Sequence, residues 1–186
     1  MGQRSQEKQA MQPRIDYAKG AVGVRAAMKS LDDHVRYADV ERGLIELVKL
    51  RASLINGCSY CVDMHTKIAR SLGETEQRLY AVSVWRETRF YSERERAALA
   101  WTDAVTLVNV GHVRDDVYDL ARQHFSEREL IDLTLAIVAI NSWNRLAIAF
   151  KAVPGTFQVG APPSAEAGGQ RGQLPSRVTE GSGAEA

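Results

Sequence analysis

The stretch that decides the fold is Val40-Glu41-Arg42-Gly43-Leu44-Ile45-Glu46-Leu47-Val48-Lys49-Leu50-Arg51-Ala52-Ser53-Leu54-Ile55-Asn56-Gly57-Cys58-Ser59-Tyr60-Cys61-Val62-Asp63-Met64-His65. Leu44, Leu47, Val48, Ala52 and Ile55 recur at three- and four-residue steps, the period of an amphipathic helix. Asn56-Gly57 stops that helix, because glycine enters the left-handed conformation without steric cost. A second helix then starts at or near Cys58 and runs to about Leu72, where Gly73 closes it. Helices joined by so short a turn pack antiparallel, so the stretch predicts a helical hairpin.

On the second helix Cys58, Cys61 and His65 fall at i, i+3 and i+7, which keeps them on one face over two turns. Glu46 precedes the turn by about ten residues and His65 follows it by about eight, so at about 1.5 Å per residue they reach similar heights on facing helices. The chemistry of such a set is thiol redox chemistry. The thiolate is the nucleophile, and a helix N-terminus or a nearby base raises its fraction at neutral pH. Position alone favours Cys58 as the lower-pKa thiol. His65 can take or relay a proton, and Glu46 can fix its tautomer. A sulfenic acid on one cysteine can condense with the other. The same three Cys and His side chains also admit a zinc reading, but structural zinc sites use four ligands and favour turns over a single helix; no metal or cofactor is expected. Tyr60 has two readings, a hydrogen-bonding group in the site or a packing residue. His34, His112 and His124 lack ligand-spaced partners and read as surface or capping residues. Trp85, Trp101 and Trp143 read as core or interface residues.

Outward from the hairpin, the pattern is helical throughout. Upstream, residues 16–37 carry a stripe of Val24, Ala27, Met28, Leu31 and Val35, and Asp39 is the expected N-cap of the hairpin's first helix. Downstream, 74–84 reads as a short helix and 85–91 as a loop rich in aromatics and arginine. Ser92-Glu93-Arg94-Glu95 and Ser126-Glu127-Arg128-Glu129 are capping boxes that open two further helices. Gly111 is expected to end the first of them, and residues 113–125 form an amphipathic helix between them. The last helix, to about Lys151, is apolar on most sides, which indicates burial in a core or a subunit interface. No strand-period segment is present, so the fold class is all-α, about six to seven helices in one domain over residues 15–153. Residues 1–14 read as a flexible arm and 154–186, rich in Gly, Pro and Ser, as a disordered tail.

Composition narrows the function. The chain has 186 residues, 45% hydrophobic and 25% charged, with a formal net charge of +1. That balance offers no electrostatic case for nucleic acid or a membrane surface. No apolar run approaches the roughly 20 residues of a bilayer span. The polar N-terminus has no leader-like apolar stretch, and two cysteines are too few for a disulfide scaffold. The expected compartment is therefore reducing and cytoplasmic.

Glu46, eleven residues, Cys58-x-x-Cys61, three residues and His65 together resemble the core signature of the AhpD-like alkylhydroperoxidases of the carboxymuconolactone decarboxylase family. Ile55-Asn56-Gly57-Cys58, Trp85-Arg86-Glu87-Thr88, Tyr91-Ser92-Glu93-Arg94-Glu95-Arg96 and Ile140-Asn141-Ser142-Trp143-Asn144-Arg145-Leu146 add to the likeness, which spans roughly residues 15–152. The resemblance implies a cofactor-free homo-oligomer, commonly a trimer or hexamer, built around the hairpin. It implies peroxidase and disulfide reductase activity, with the cysteine matching Cys61 attacking the peroxide, the one matching Cys58 resolving it, and Glu46 and His65 as the proton relay. The best-known peroxidases carry a histidine between the cysteines, where this chain has Ser59-Tyr60. The family's decarboxylases generally lack the cysteine pair. The expected function is a thiol-dependent peroxidase that reduces organic hydroperoxides or hydrogen peroxide and is reset by an external dithiol or thiol reductant. The rivals are a redox-responsive oligomer without turnover and a lyase acting on a small carboxylated substrate.

Overall fold

A computed structural model describes residues 11–36 and 38–160. Among them are nine α-helical segments, one 3-10 helix and no strand. They are α1 (Tyr17–Gly20), α2 (Val22–Arg36), α3 (Arg42–Asn56), α4 (Ser59–Ser71), α5 (Glu76–Ala81), a 3-10 turn (Val82–Glu87), α6 (Glu93–Thr106), α7 (Val108–Gly111), α8 (Asp115–His124) and α9 (Glu127–Ala149). The all-α class holds, and the higher count arises because two of the segments are single turns.

Helix α3 is the hub. Its Leu44, Ile45 and Val48 pack against α6 and α9 through Ala97, Ala98, Trp101, Leu133, Ala136 and Ile137. Its opposite face, Leu47 and Leu50, packs with Ala69 of α4, Leu79 of α5, Trp85 and Leu99. Near its C-terminus Ala52, fully buried, lies against Cys58, Cys61, Ile140 and Ala147. A methyl group here lets α4 and α9 approach the helix closely, which puts the cysteines in the core. The turn forms as the sequence predicts. Gly57 has φ of +70°, and the N–H groups of Gly57 and Cys58 return to Leu54 O and Ser53 O. Gly73, at φ +95°, follows the end of α4.

Both capping boxes are complete, with Ser92 and Ser126 each exchanging bonds with the glutamate three residues on. Such a box satisfies two otherwise unpaired N–H groups and adds about 1 kcal/mol. Helix α9 is long and apolar enough by length and composition to match a bilayer span. Its buried residues, from Leu130 to Ala147, are spent on α2, α3 and α6.

Several expected boundaries move. Asp39 does not cap α3; the helix begins after Glu41, whose side chain makes no capping bond because it is held by Arg94. Asp39 instead pairs with Arg128 at 3.2 Å. The break after α6 falls at Leu107 rather than Gly111, and a single turn, α7, follows it. The first three residues of the expected 85–91 loop belong to the 3-10 turn, held because Trp85 is buried and its Nε1 donates to Asp103 at 3.3 Å. That carboxylate also accepts from Arg51 at 2.6 Å and from Arg86 at 2.5 Å, which fastens the turn to α3 and α6. The apolar stripe of α2 is only partly used. Val35 is buried, whereas Val24 and Ala27 are exposed, because α2 meets α9 while Arg25, Asp32 and Arg36 face a cavity.

The ends of the described chain are tied to the helices. Arg14 donates from its backbone N–H to Phe150 O and from its guanidinium to Ala149 O, so it closes the open carbonyls at the end of α9. Past α9, Gly155 N–H donates to Asp63 and Lys67 donates to Phe157 O, which lays residues 155–157 along α4. Most of the expected arm, residues 1–10, and of the expected tail, residues 161–186, lies outside the described residues.

Candidate active site

Cys58 is the N-cap of α4. Its sulfur accepts a hydrogen bond from Cys61 N–H at 3.4 Å, the role a serine or aspartate oxygen usually fills. Both cysteines are free thiols and both are almost fully buried, at 2% and 1% exposure. Their acidities diverge. Hydrogen bonds from the Cys61 side chain and backbone, with a further one from Asn144, lower Cys58 to about 7 against the cost of burial. Cys61, which donates to Cys58 and is buried beside its charge, is raised above the ordinary thiol range. The pair therefore holds one negative charge near neutrality, and it rests on Cys58, as the position at the helix start predicts.

Glu46 and His65 meet across the hairpin. Glu46 Oε2 lies 2.7 Å from His65 Nδ1. With a carboxylate at Nδ1, that nitrogen carries the proton, and Nε2 presents a lone pair. Nε2 is buried and has no hydrogen-bond partner among the described residues, unusual for a polar atom in a core. His65 sits one helical turn beyond Cys61, and both line a cavity of about 450 Å³ together with Glu46 and Tyr60. The orphaned nitrogen is therefore a base held ready at the wall of a space that can hold a reactant.

Three residues that sequence reasoning did not place in the site complete it, Tyr17 and Trp143 at the cavity wall and Asn144 behind the cysteines. Tyr17 of α1 lines the cavity and packs on Trp143 and Phe150 at ring-centroid distances of 6.4 and 5.9 Å. Burial and nearby negative charge raise both Tyr17 and Tyr60, so the two phenols stay protonated as O–H donors. Trp143 Nε1 donates to Asp32 at 2.7 Å, and Lys49 donates to the same carboxylate at 3.2 Å, joining α9, α2 and α3 around the cavity. Asn144, with no exposed surface, receives Asn56 Nδ2 at 2.9 Å and donates to Ser53 Oγ at 3.1 Å. Asn141 accepts from Asn56 as well, at 2.8 Å. These two asparagines clamp the hairpin turn from α9, and Asn144 reaches on to the cysteines. The signal available in the sequence was two amides three residues apart on the chain's most apolar helix. The expected positions of His34, His112 and His124 outside the site hold; His34 reaches Asp132 at 3.3 Å. Trp85 and Trp101 are core residues, whereas Trp143 lines the cavity. Among the described residues no three His, Cys, Asp or Glu side chains converge as a metal-binding set.

Fold and site together define a class: all-helical proteins that carry a dithiol and a facing glutamate–histidine pair on one hairpin. Residues 23–104 match the model of the carboxymuconolactone decarboxylase family. The chain is 41% identical over 139 residues to the uncharacterized protein YdfG of Bacillus subtilis (strain 168), which covers 75% of this chain and 95% of that protein. A solved structure from Agrobacterium tumefaciens, described as a candidate antioxidant defence protein AhpD, superposes with a TM-score of 0.75 at 45% identity, over 77% of this chain and 98% of that one. The debrominase Bmp8 shares the fold at 23% identity, with a TM-score of 0.64 over 70% of each chain. The chain belongs to the carboxymuconolactone decarboxylase family and has the AhpD-like helical fold. That fold serves peroxidase-related proteins and a debrominase alike, so it does not by itself choose the reaction.

Proposed function

We propose that the chain is a thiol-dependent peroxidase that cycles Cys58 and Cys61 between dithiol and disulfide. The observation that carries this reading is the unpartnered His65 Nε2, buried beside Cys61 at the cavity wall with Glu46 behind it. A hydroperoxide enters the cavity and meets Cys61. The proton shared between the thiols passes toward Cys58, so the charge moves to Cys61, whose sulfur attacks the distal peroxide oxygen. The O–O bond breaks, and the departing alkoxide takes a proton from a phenol of the wall, either Tyr17 or Tyr60, the latter standing between the cysteines where the resembled peroxidases carry a histidine; solvent returns that proton to the phenolate. Cys61 is left as a sulfenic acid. His65 Nε2 then takes the Cys58 proton, Cys58 attacks the Cys61 sulfur, and the S–O bond breaks as the departing hydroxide takes the imidazolium proton and leaves as water. The sum is one hydroperoxide and two thiols converted to alcohol, water and one disulfide. An external dithiol resets the pair by exchange.

The two cysteines open to different spaces, which suits this division of labour. Cys61 lines the cavity with His65, and Cys58 lines a second depression with Gly57, Ser59 and Lys151. In this reading peroxide arrives on the first side and the reductant reaches Cys58 from the second. The homo-oligomer expected from the family resemblance remains part of the proposal, as do a reducing, cytoplasmic setting and the absence of nucleic-acid or membrane partners. Consumption of tert-butyl hydroperoxide with dithiothreitol, in the parent and in Cys61→Ser, tests the reading; it requires turnover in the first and none in the second.

A further inference from the structure

The cavity is longer than the chemistry at its dithiol end needs, and its far end carries unused charge. Cys61 lies four residues before His65, on the turn side of the Glu46–His65 pair, and Arg42 lies four residues before Glu46, on the side away from the turn. On antiparallel helices those offsets add to eight residues, or about 12 Å along the cavity. Between the two ends the lining is largely apolar, with Ile45, Met64 and Ile68. At the far end Arg36, in the last turn of α2, and Arg42, at the start of α3, both line the cavity and both are exposed.

Neither arginine makes an ion pair among the described residues, and the acids within six residues of either along the chain are paired elsewhere. Glu46 is on His65, Glu41 on Arg94, Asp39 on Arg128, Asp33 on Lys29 and Asp32 on Lys49. Two guanidinium forks at the end of an apolar slot form a carboxylate site, because the fork matches the two oxygens of a carboxylate and stays charged at every working pH.

We propose that the cavity takes an amphipathic acid, a hydroperoxide borne in mid-chain on a carboxylated hydrocarbon, with the peroxide at Cys61 and the carboxylate between Arg36 and Arg42. The proposal deepens the peroxidase reading and rests on it for the peroxide; the acid site itself stands on the arginines and the slot. Peroxides without a carboxylate still reach Cys61 but gain nothing from the far end.

The test separates the two. Decanoate and methyl decanoate, neither of which can oxidise a thiol, are titrated by calorimetry into the reduced full chain. The acid is expected to bind about tenfold more tightly than the ester, a preference that shrinks as salt is added. In R36Q/R42Q the two are expected to bind alike. Equal binding in the parent, a preference indifferent to salt, or a preference that survives in R36Q/R42Q would overturn the acid site. Failure to consume tert-butyl hydroperoxide would instead count against the peroxidase reading and leave the binding result standing.

Discussion

Glu46 Oε2 and His65 Nδ1 stand 2.7 Å apart on facing helices, and the bond leaves the other imidazole nitrogen as a buried base without a partner. The hairpin exists to make this contact: Gly57 turns the chain, and Ala52 and Ala69 let the helices lie close enough for the two side chains to meet.

Glu46→Gln should keep the fold and slow peroxide turnover. An amide offers no charge to support an imidazolium and can hold the ring in the wrong tautomer. A loss of about 100-fold is expected, the lower end of what a positioned general base contributes. Steady-state kcat/KM with a small hydroperoxide measures the effect, and an unchanged value would remove Glu46 from the relay.

The acidity of Cys58 should depend on Cys61. Alkylation of the reduced protein by iodoacetamide, followed by mass spectrometry at Cys58, should rise with a midpoint near the value of about 7 that Cys61's hydrogen bonds set. In Cys61→Ala, which removes the side-chain donor and keeps the backbone one, the midpoint should move up. The linked effect on stability has a definite sign. Because Cys58 is lowered, its contribution is present above the ordinary thiol range and fades as pH falls through about 7. Because Cys61 is raised, its contribution is present below the ordinary thiol range and fades in strong alkali. The melting temperature of the reduced protein should therefore climb as pH rises through neutrality and fall again in alkali.

Asn144→Ala should cost about 1–2 kcal/mol, since it removes two of the bonds that tie the hairpin turn to α9, while Asn56 keeps Ala52 O and Asn141 and Ser53 keeps Lys49 O. It should also raise the alkylation midpoint of Cys58, because Asn144 is one of the donors that hold that sulfur as a thiolate. Denaturant titration and the alkylation profile check the two effects separately.

Asp103→Ala should be more damaging, at about 3 kcal/mol, because it leaves half-buried Arg51 without its carboxylate, holding only the Val82 and Ser83 carbonyls, and frees Arg86 and Trp85 Nε1 as well. The 3-10 turn over α3 should loosen, seen as faster amide exchange at residues 82–87. Its distance in function from the dithiol should leave the alkylation midpoint of Cys58 where it was.

Much of this was legible in local sequence. The two Ser-Glu-Arg-Glu boxes, the Asn56-Gly57 stop and the facing heights of Glu46 and His65 follow from rules that operate within a few turns of helix. Asp39 was misread because Arg128, far along the chain, pairs with its carboxylate, and the helix begins after Glu41 instead. Tyr17, Trp143 and Asn144 were not legible as site residues for a related reason. Trp143 meets Asp32 across 111 residues and Asn144 meets Asn56 across 88, and helical period carries no record of which distant side chain an indole or amide will find. The stripe on α2 shows the same limit: its spacing promised a buried face, yet of its residues Val35 is buried while Val24 and Ala27 stay exposed.

The central claim is that Cys61 reacts with peroxide and Cys58 resolves it. Peroxide consumption with excess dithiothreitol, in the parent, Cys58→Ser and Cys61→Ser, tests it most directly. The account predicts sustained turnover in the parent, no reaction in Cys61→Ser, and in Cys58→Ser a single oxidation of Cys61 to the sulfenic acid, trapped by dimedone. Full turnover in Cys61→Ser would contradict it.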